Sequence, residues 1–207
     1  MKSLVEDLLT LANLESNALP ATNTVVKVET LLALLKNDAE ALSQGKHVLN
    51  FHVDTSRNLL GGEREILSAF SNLVSNAIRY THEIGSIDVQ WGVNEQGQGK
   101  FSVSDTGPGI ASEHLSRLTE RFYRVDRSRS RETGGTGFGL AIVKHIANRH
   151  QAQLIIESTP GRGIKFMLRF PKDRIAASFS VFLFLFLLFG FFRQLFCFAI
   201  RIKDTTL

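Results

Sequence analysis

The sequence predicts an α/β domain of the two-layer sandwich type. Short runs of alternating apolar and polar residues resemble the strands of hairpins, and amphipathic helices lie between them. These elements lack the regular strand–helix–strand rhythm of a doubly wound fold. The 207 residues, 43% hydrophobic and 21% charged, suffice for one domain of ordinary size plus appendages.

Each element is predicted from its periodicity and from the residues that end it. Helices are predicted where apolar residues recur every three or four positions, as Leu4, Leu8 and Leu11 do. Strands are predicted where the alternation has a period of two. In chain order the predictions are a helix over 1–17, a helix over 26–42 opened near Thr24, a strand over 47–53, a long helix over about 63–80, strands over 86–93 and 100–104, a helix around 112–121, a helix over about 139–150, and strands over 153–158 and 164–170.

The composition excludes several classes of protein. The formal net charge of +4 is small and dispersed, which argues against a nucleic-acid-binding protein. The single cysteine, Cys197, excludes an internal disulfide and a cysteine-based zinc cluster. Because the first residues form an amphipathic helix that contains acids, we expect no secretory signal peptide.

Three blocks in a fixed order carry the predicted chemistry, and the first is NLVSNAIRY at 72–80. Asn72 and Asn76 are four residues apart and therefore share one face of the long helix. Amide oxygens on that face can hold Mg²⁺ beside the phosphates of a nucleotide. Arg79 and Tyr80 follow one turn on, placed to meet phosphate and adenine. The alternative is a pair of ordinary solvent-facing or capping asparagines.

The second block is DTGPGI at 105–110, where a strand runs into a turn with two glycines. A carboxylate at Asp105 can accept a hydrogen bond from the exocyclic amine of adenine, which distinguishes ATP from GTP. Gly107 and Gly109 give the backbone access to unusual conformations. Taken alone, the block would be an ordinary Asp-Gly turn; together with the other two blocks it favours an adenine site.

The third block is GGTGFGLAIV at 134–143, a glycine loop that precedes a helix. Free backbone N–H groups in such a loop bind phosphate oxygens. No Gly-Lys-Ser/Thr follows, so it is not a Walker loop, and no strand leads into it as a dinucleotide fingerprint requires. The arginine-rich segment 120–132 joins the second and third blocks. It is either a solvated loop or, as we predict, a lid that closes over ATP.

These blocks resemble the motifs of the sensor histidine kinases. NLVSNA resembles their N box, DTGPGI their first glycine box, RFYRVD their F box and GGTGFGLAIVKHI their second glycine box, over about 1–175. The resemblance implies the Bergerat ATP-binding fold, with ATP and Mg²⁺ as ligands and Asn76 as the metal ligand. The predicted ATP-binding residues are Asn72, Asn76, Arg79, Tyr80, Asp105, Gly107, Gly109, Ile110, Phe122, Arg124, Gly135, Thr136, Gly137, Gly139 and Leu140.

The resemblance also implies the partners and the setting. The γ-phosphate would pass to a histidine on a dimerisation domain and then to an aspartate of a response regulator. The parent would be a bacterial homodimer in the inner membrane, with this domain on the cytoplasmic side. We expect 1–20 to be part of the second helix of the dimerisation hairpin, 24–175 the ATP-binding domain, and 176–207 an apolar tail.

The chain departs from the family pattern in ways that bear on activity. No histidine has the Glu–hydrophobe–Arg–Pro context of a phosphoacceptor, so we expect no autophosphorylation by this chain alone. Phe138 replaces the usual leucine of the second glycine box, and Ile164 replaces the usual threonine near Asp105. In related gyrase-, Hsp90- and MutL-type ATPases a water-activating glutamate stands where this chain has Asn72. That difference favours a kinase over a hydrolase.

Two questions stay open from the sequence. The run 175–192 has no charge and just reaches the length of a membrane-spanning helix. Three interpretations of this apolar run compete: a tail anchor, a partner-covered helix and a non-native extension. The domain itself is either a competent phosphodonor for a histidine in trans or a nucleotide-binding and interaction module without catalysis.

Overall fold

A computed structural model describes residues 2–16, 23–125 and 136–176, in which helices pack against a five-stranded sheet. Across the sheet the strands are ordered Val48–Val53, Ser86–Val93, Gly99–Asp105, Ile164–Phe170 and Gln153–Ser158; the first two are parallel and the other neighbours antiparallel. This arrangement confirms the predicted two-layer α/β sandwich. The elements are α1 (Lys2–Ser16), β1 (Val25–Val26), α2 (Val28–Ser43), β2 (Val48–Val53), β3 (Leu59–Leu60), α3 (Glu63–Tyr80), β4 (Ser86–Val93), β5 (Gly99–Asp105), α4 (Ser112–Leu115), α5 (Gly139–Arg149), β6 (Gln153–Ser158) and β7 (Ile164–Phe170).

One apolar core joins the helices to the sheet. Phe70 of α3 stacks flat on Phe101 of β5, with ring centroids 3.6 Å apart. Trp91 of β4 is fully buried, and its indole N–H donates to the carbonyl oxygen of Arg57 at 3.1 Å. Burying an apolar side chain of this size contributes about 1.5–3 kcal/mol. The core therefore fixes α3, which carries the first block, against the strand that ends in the second block.

Two elements differ from their predicted extents by more than one residue at an end. α2 begins at Val28, because Val25–Val26 pair with β3 and the Thr24 hydroxyl donates to the carbonyl oxygen of Gly61 at 2.6 Å. The helix predicted around 112–121 is helical only over Ser112–Leu115. Successive turns follow it and wrap the chain around the Tyr123 side chain, which a straight helix could not do.

Several predictions lie outside the described residues. They are the apolar tail beyond 176, the part of the proposed lid over 126–132, and Gly135. Among the helices of residues 2–16, 23–125 and 136–176, none combines the length and the apolar character that crossing a membrane requires.

His150 follows α5 and joins it to the start of α3. The side chain is fully buried; Nδ1 donates to the Ile146 carbonyl oxygen at 2.9 Å, and Nε2 accepts from the Gly62 N–H at 3.2 Å. Burial lowers the pKa of His150 below 6.5, although the hydrogen bond to Ile146 and the charge of Glu65 act in the opposite direction. A proton on Nε2 would face the Gly62 N–H, so the folded state needs the neutral ring.

We therefore expect the free energy of unfolding to fall as the pH drops below about 6.5, because the unfolded chain binds a proton that buried His150 does not. The slope contributed by this one group is at most about 1.4 kcal/mol per pH unit. Urea unfolding at a series of pH values measures it. The slope should shrink in His150→Gln and persist in His52→Gln, which alters an exposed histidine; an unchanged slope in His150→Gln would contradict this account.

Candidate functional site

Asn72 and Asn76 lie on the face of α3 that meets the start of α5. The Asn72 Nδ2 donates to the Ser68 carbonyl oxygen at 2.8 Å, which leaves its Oδ1 turned toward Gly139. A Cβ on Gly139 would lie 2.6 Å from the Asn72 Oδ1 and 3.8 Å from the Asn76 Nδ2. Both asparagines are half-buried. The structure thus brings the first and third blocks together, and a side chain at position 139 would displace the Asn72 amide.

The end of α3 touches the second block. The carbonyl oxygen of Tyr80 lies 3.0 Å from the position that a Cβ on Gly107 would take. The Tyr80 side chain is 46% exposed, and Arg79 beside it is half-buried. The Tyr80 side chain is therefore accessible, and the backbone of the same residue borders the Asp105 turn.

Asp105 ends β5 as a buried carboxyl group, 7% exposed. Its Oδ1 accepts from the Gly107 N–H at 2.8 Å, whereas its Oδ2 is buried and has no hydrogen-bond partner in the part of the chain that the structure describes. Burial raises the pKa of Asp105 above its ordinary value of 3.8, while the nearby backbone N–H groups of Gly107 and Ile164 act in the opposite direction. A buried acceptor without a partner costs about 1–3 kcal/mol. This oxygen fits a donor from a ligand, such as the exocyclic amine of adenine.

Two glycines allow the backbone to close tightly around Asp105. A Cβ on Gly163 would lie 1.8 Å from the Asp105 carbonyl oxygen, and a Cβ on Gly109 would lie 2.2 Å from the Thr159 carbonyl oxygen. No side chain fits at such distances. The DTGPGI turn therefore packs directly against the turn 159–163 between β6 and β7.

Ile110 and Ile164 complete this turn. The Ile110 N–H donates to the Ser158 hydroxyl at 2.8 Å, which ties the end of the second block to β6. Ile164 pairs with Asp105 in the register of β5 and β7. The residue that replaces the family's usual threonine is thus the sheet partner of Asp105, as the sequence predicted when it placed position 164 near that carboxyl.

The described part of the proposed lid ends against the third block. The Phe122 N–H donates to the Gly137 carbonyl oxygen at 3.2 Å, and the Arg124 Cγ lies 3.7 Å from the position of a Cβ on Gly137. The Phe138 ring is 1% exposed and meets the Phe122 ring edge-on, with centroids 4.5 Å apart. Phe138 is thus a core residue beneath the loop. Leu140, two residues further on, is half-buried and packs against the core.

Tyr123 anchors this segment, a role that was not predicted from the sequence. The Tyr123 hydroxyl lies 2.7 Å from the Nδ1 of His114, and the Arg117 guanidinium lies 4.2 Å from the centre of the tyrosine ring. A cation over an aromatic ring contributes about 0.5–1 kcal/mol at an exposed site. The signal was present in the RFYRVD run, where an aromatic residue stands between Phe122 and Arg124.

α1 contacts the third block, which the sequence did not predict. The Thr136 hydroxyl donates to the Asp7 carboxylate at 2.5 Å. Glu15 forms an ion pair with Arg121, and its Oε1 lies 3.3 Å from the Nε2 of His145. A predicted phosphate-binding residue is therefore already held by an acid from the first helix.

Comparison with known proteins agrees with this architecture. Residues 61–174 match the family described as histidine kinase-, DNA gyrase B- and HSP90-like ATPases. The chain is 50% identical over 177 residues to the phosphate regulon sensor protein PhoR of Pseudomonas aeruginosa, covering 85% of this chain and 40% of that protein. It is 42% identical over 145 residues to PhoR of Haemophilus influenzae, covering 70% and 34%. The chain thus spans well under half the length of either relative.

Solved structures of histidine kinases also match the fold of this chain. The crystal structure of full-length ShkA in complex with AMPPNP matches with a TM-score of 0.73 and 27% identity, over 86% of this chain and 36% of that chain. The Acinetobacter baumannii histidine kinase AdeS matches with a TM-score of 0.66 and 26% identity, over 83% and 78%. The chain belongs to the family of histidine kinase-, DNA gyrase B- and HSP90-like ATPases and contains the ATP-binding domain of a sensor histidine kinase.

Proposed function

We propose that this chain is the phosphodonor part of a PhoR-like two-component kinase. It binds ATP with Mg²⁺ and presents the γ-phosphate to a histidine on a dimerisation domain. The observation that carries the proposal is the buried Oδ2 of Asp105, an acceptor without a partner among the described residues, beside the glycine turn that meets the end of α3. An acceptor in such a place suits the N6 amine of adenine, which is a donor.

The residues at the phosphate end suit transfer better than hydrolysis. Asn76 would hold Mg²⁺ through its amide oxygen, and the metal, when bound, would neutralise phosphate charge. Among the described residues no three His, Cys, Asp or Glu side chains are grouped to hold a metal, so phosphate oxygens and water would supply the remaining ligands. Asn72, the neighbour of Asn76 on α3, cannot act as a base, so ATP is spared attack by water.

In the proposed transfer, the bond between the γ-phosphorus and the bridging oxygen breaks and ADP leaves. A bond forms between that phosphorus and an imidazole nitrogen of the phosphoacceptor. The phosphoryl group then passes to an aspartate of a response regulator, which we expect to be PhoB-like. The parent protein would be a homodimer in the bacterial inner membrane, with this domain on the cytoplasmic side; the sequence relationship to PhoR supports this setting.

The test is phosphotransfer in trans. The full chain is incubated with ATP labelled in the γ position, Mg²⁺ and a PhoR dimerisation domain that carries its own histidine. We expect acid-labile label on that domain, reduced at least about a hundredfold, or ~2.7 kcal/mol, by Asn76→Ala. Asn148→Ala, on the exposed face of α5, serves as the matched control. Equal labelling with Asn76→Ala would remove Asn76 from the metal role.

A second candidate function is a nucleotide-binding or interaction module without catalysis. Two observations favour it: Asp7 holds the Thr136 hydroxyl, and Ile164 lies beside Asp105 without a hydroxyl of its own. ATP binding by the unaltered chain without any label transfer to the dimerisation domain would support this second function over the first.

Asp7→Ala is expected to raise the affinity for ATP by up to about fivefold, or ~1 kcal/mol, because it removes a carboxylate from the loop predicted to wrap the phosphates. Calorimetric titration with ATP and Mg²⁺ measures the change. Asp38→Ala, which removes an exposed acid from α2, controls for net charge. An affinity that stays the same or falls would show that Asp7 does not compete with the nucleotide.

A further inference from the structure

Two buried oxygens lack partners near the proposed base site. In the described parts of the chain, the Thr81 hydroxyl and the Asp105 Oδ2 are the buried side-chain oxygens without a hydrogen bond. Each of these residues is 7% exposed. Burying a polar group in this way is unfavourable, and native proteins retain few such groups without a reason. The proposed function accounts for the oxygen of Asp105 but not for that of Thr81.

The two residues belong to segments that touch. The Asp105 Oδ1 and the carbonyl oxygen of Tyr80 lie 2.9 and 3.0 Å from a single point, the position of a Cβ on Gly107. Thr81 is the residue after Tyr80, so the peptide that leads into it lies beside the Asp105 carboxyl group. The end of α3 and the end of β5 therefore form one wall of the proposed site.

The backbone of Thr81 is already fixed, which leaves the hydroxyl as its one group without a role. The Thr81 N–H donates to the Ala77 carbonyl oxygen at 3.0 Å. The Thr81 carbonyl oxygen lies 3.2 Å from the Nε2 of His47, whose Nδ1 contacts the Ser43 hydroxyl at 3.1 Å. Contacts on both sides of the residue hold it in place. The backbone that carries the hydroxyl is thus positioned before any ligand arrives, which reduces the ordering cost of a contact.

We propose that Thr81 is a second base-reading residue of the ATP site, an inference that rests on the proposed function. Adenine carries the N6 amine, a donor, next to N1, an acceptor. Asp105 Oδ2 accepts from N6, and the Thr81 hydroxyl donates toward N1, directly or through one ordered water. Guanine presents the reverse order, with an acceptor at O6 and a donor at N1. The pair of side chains therefore selects adenine by two complementary hydrogen bonds instead of one.

The test is Thr81→Val in the full chain, which removes the hydroxyl and keeps the shape of the side chain. We expect the affinity for ATP to fall about tenfold, while the melting temperature stays unchanged or rises because a partnerless polar group has been removed. Thr81→Ser keeps a hydroxyl and should bind ATP nearly as tightly as the unaltered chain. A hydroxyl with only a structural role would give the opposite pattern, with lost stability and unchanged affinity.

An ATP analogue without N1 isolates the contact. 1-Deaza-ATP should bind the unaltered chain about tenfold more weakly than ATP and should lose nothing further in Thr81→Val. 7-Deaza-ATP, which keeps N1, should show the same tenfold loss in Thr81→Val as ATP does. Equal ATP affinity in Thr81→Val and the unaltered chain would overturn this inference alone. A failure of the unaltered chain to bind ATP would overturn the proposed function with it.

Discussion

Asp105→Asn is expected to weaken ATP binding about a hundredfold, or ~2.7 kcal/mol, while the protein stays folded. Oδ1 accepts the Gly107 N–H, so the amide of an asparagine would keep its oxygen on that side. Its NH₂ group would then replace Oδ2 and face the adenine amine, so that two donors meet. A favourable hydrogen bond is exchanged for a repulsive contact, which is why a substitution of almost identical shape should have so large an effect.

Calorimetric titration of ATP and Mg²⁺ into Asp105→Asn measures this loss. The melting temperature of the free variant should not fall, because burial opposes the charge of Asp105 and the amide carries none. Asp88→Asn is the matched control, since it alters an acid on the neighbouring strand that pairs with Asn50. ATP affinity in Asp105→Asn equal to that of the unaltered chain would remove Asp105 from the base site.

The parts of the fold that the sequence predicted best are those whose burial follows one period. α3 and β4 have the predicted bounds because each buries one regular face against the core. β1 and β3 were missed because two residues are too few to show an alternation. The shortened α4 reflects the packing of Tyr123 against His114 and Arg117, a contact that only the folded chain reveals.

The candidate site, like the fold, contains residues that the sequence predicted and contacts that it did not. Residue types with a strong local signature were found, such as asparagines four apart on a helix and glycines after a strand. The contact between Asp7 and Thr136 could not be found, because it joins residues 129 positions apart and an acid on a helix surface is usually solvated. The unpartnered Thr81 hydroxyl was also invisible, since a hydrogen bond that is not made leaves no pattern in a sequence.

The tight turn at Gly163 should give the largest loss of stability. A Cβ there would lie 1.8 Å from the Asp105 carbonyl oxygen, and the backbone has a φ of +91°. Gly163→Ala is therefore expected to lower the free energy of unfolding by about 3–5 kcal/mol, from backbone strain and from the displaced carbonyl together. Gly161 lies in the same turn with a φ of +77° and has no atom within 4 Å of its Cβ position.

Gly161→Ala should consequently cost only the backbone strain, about 1–2 kcal/mol, and the difference between the two variants isolates the contact with Asp105. Urea unfolding with and without ATP and Mg²⁺ gives both stability and binding. Where Gly163→Ala still folds, its ATP affinity should also be reduced, because the carbonyl that moves belongs to the proposed base-reading residue. Equal losses of stability in the two variants would mean that β7 can withdraw from Asp105 without cost. The close approach would then have no part in holding the carboxylate in place.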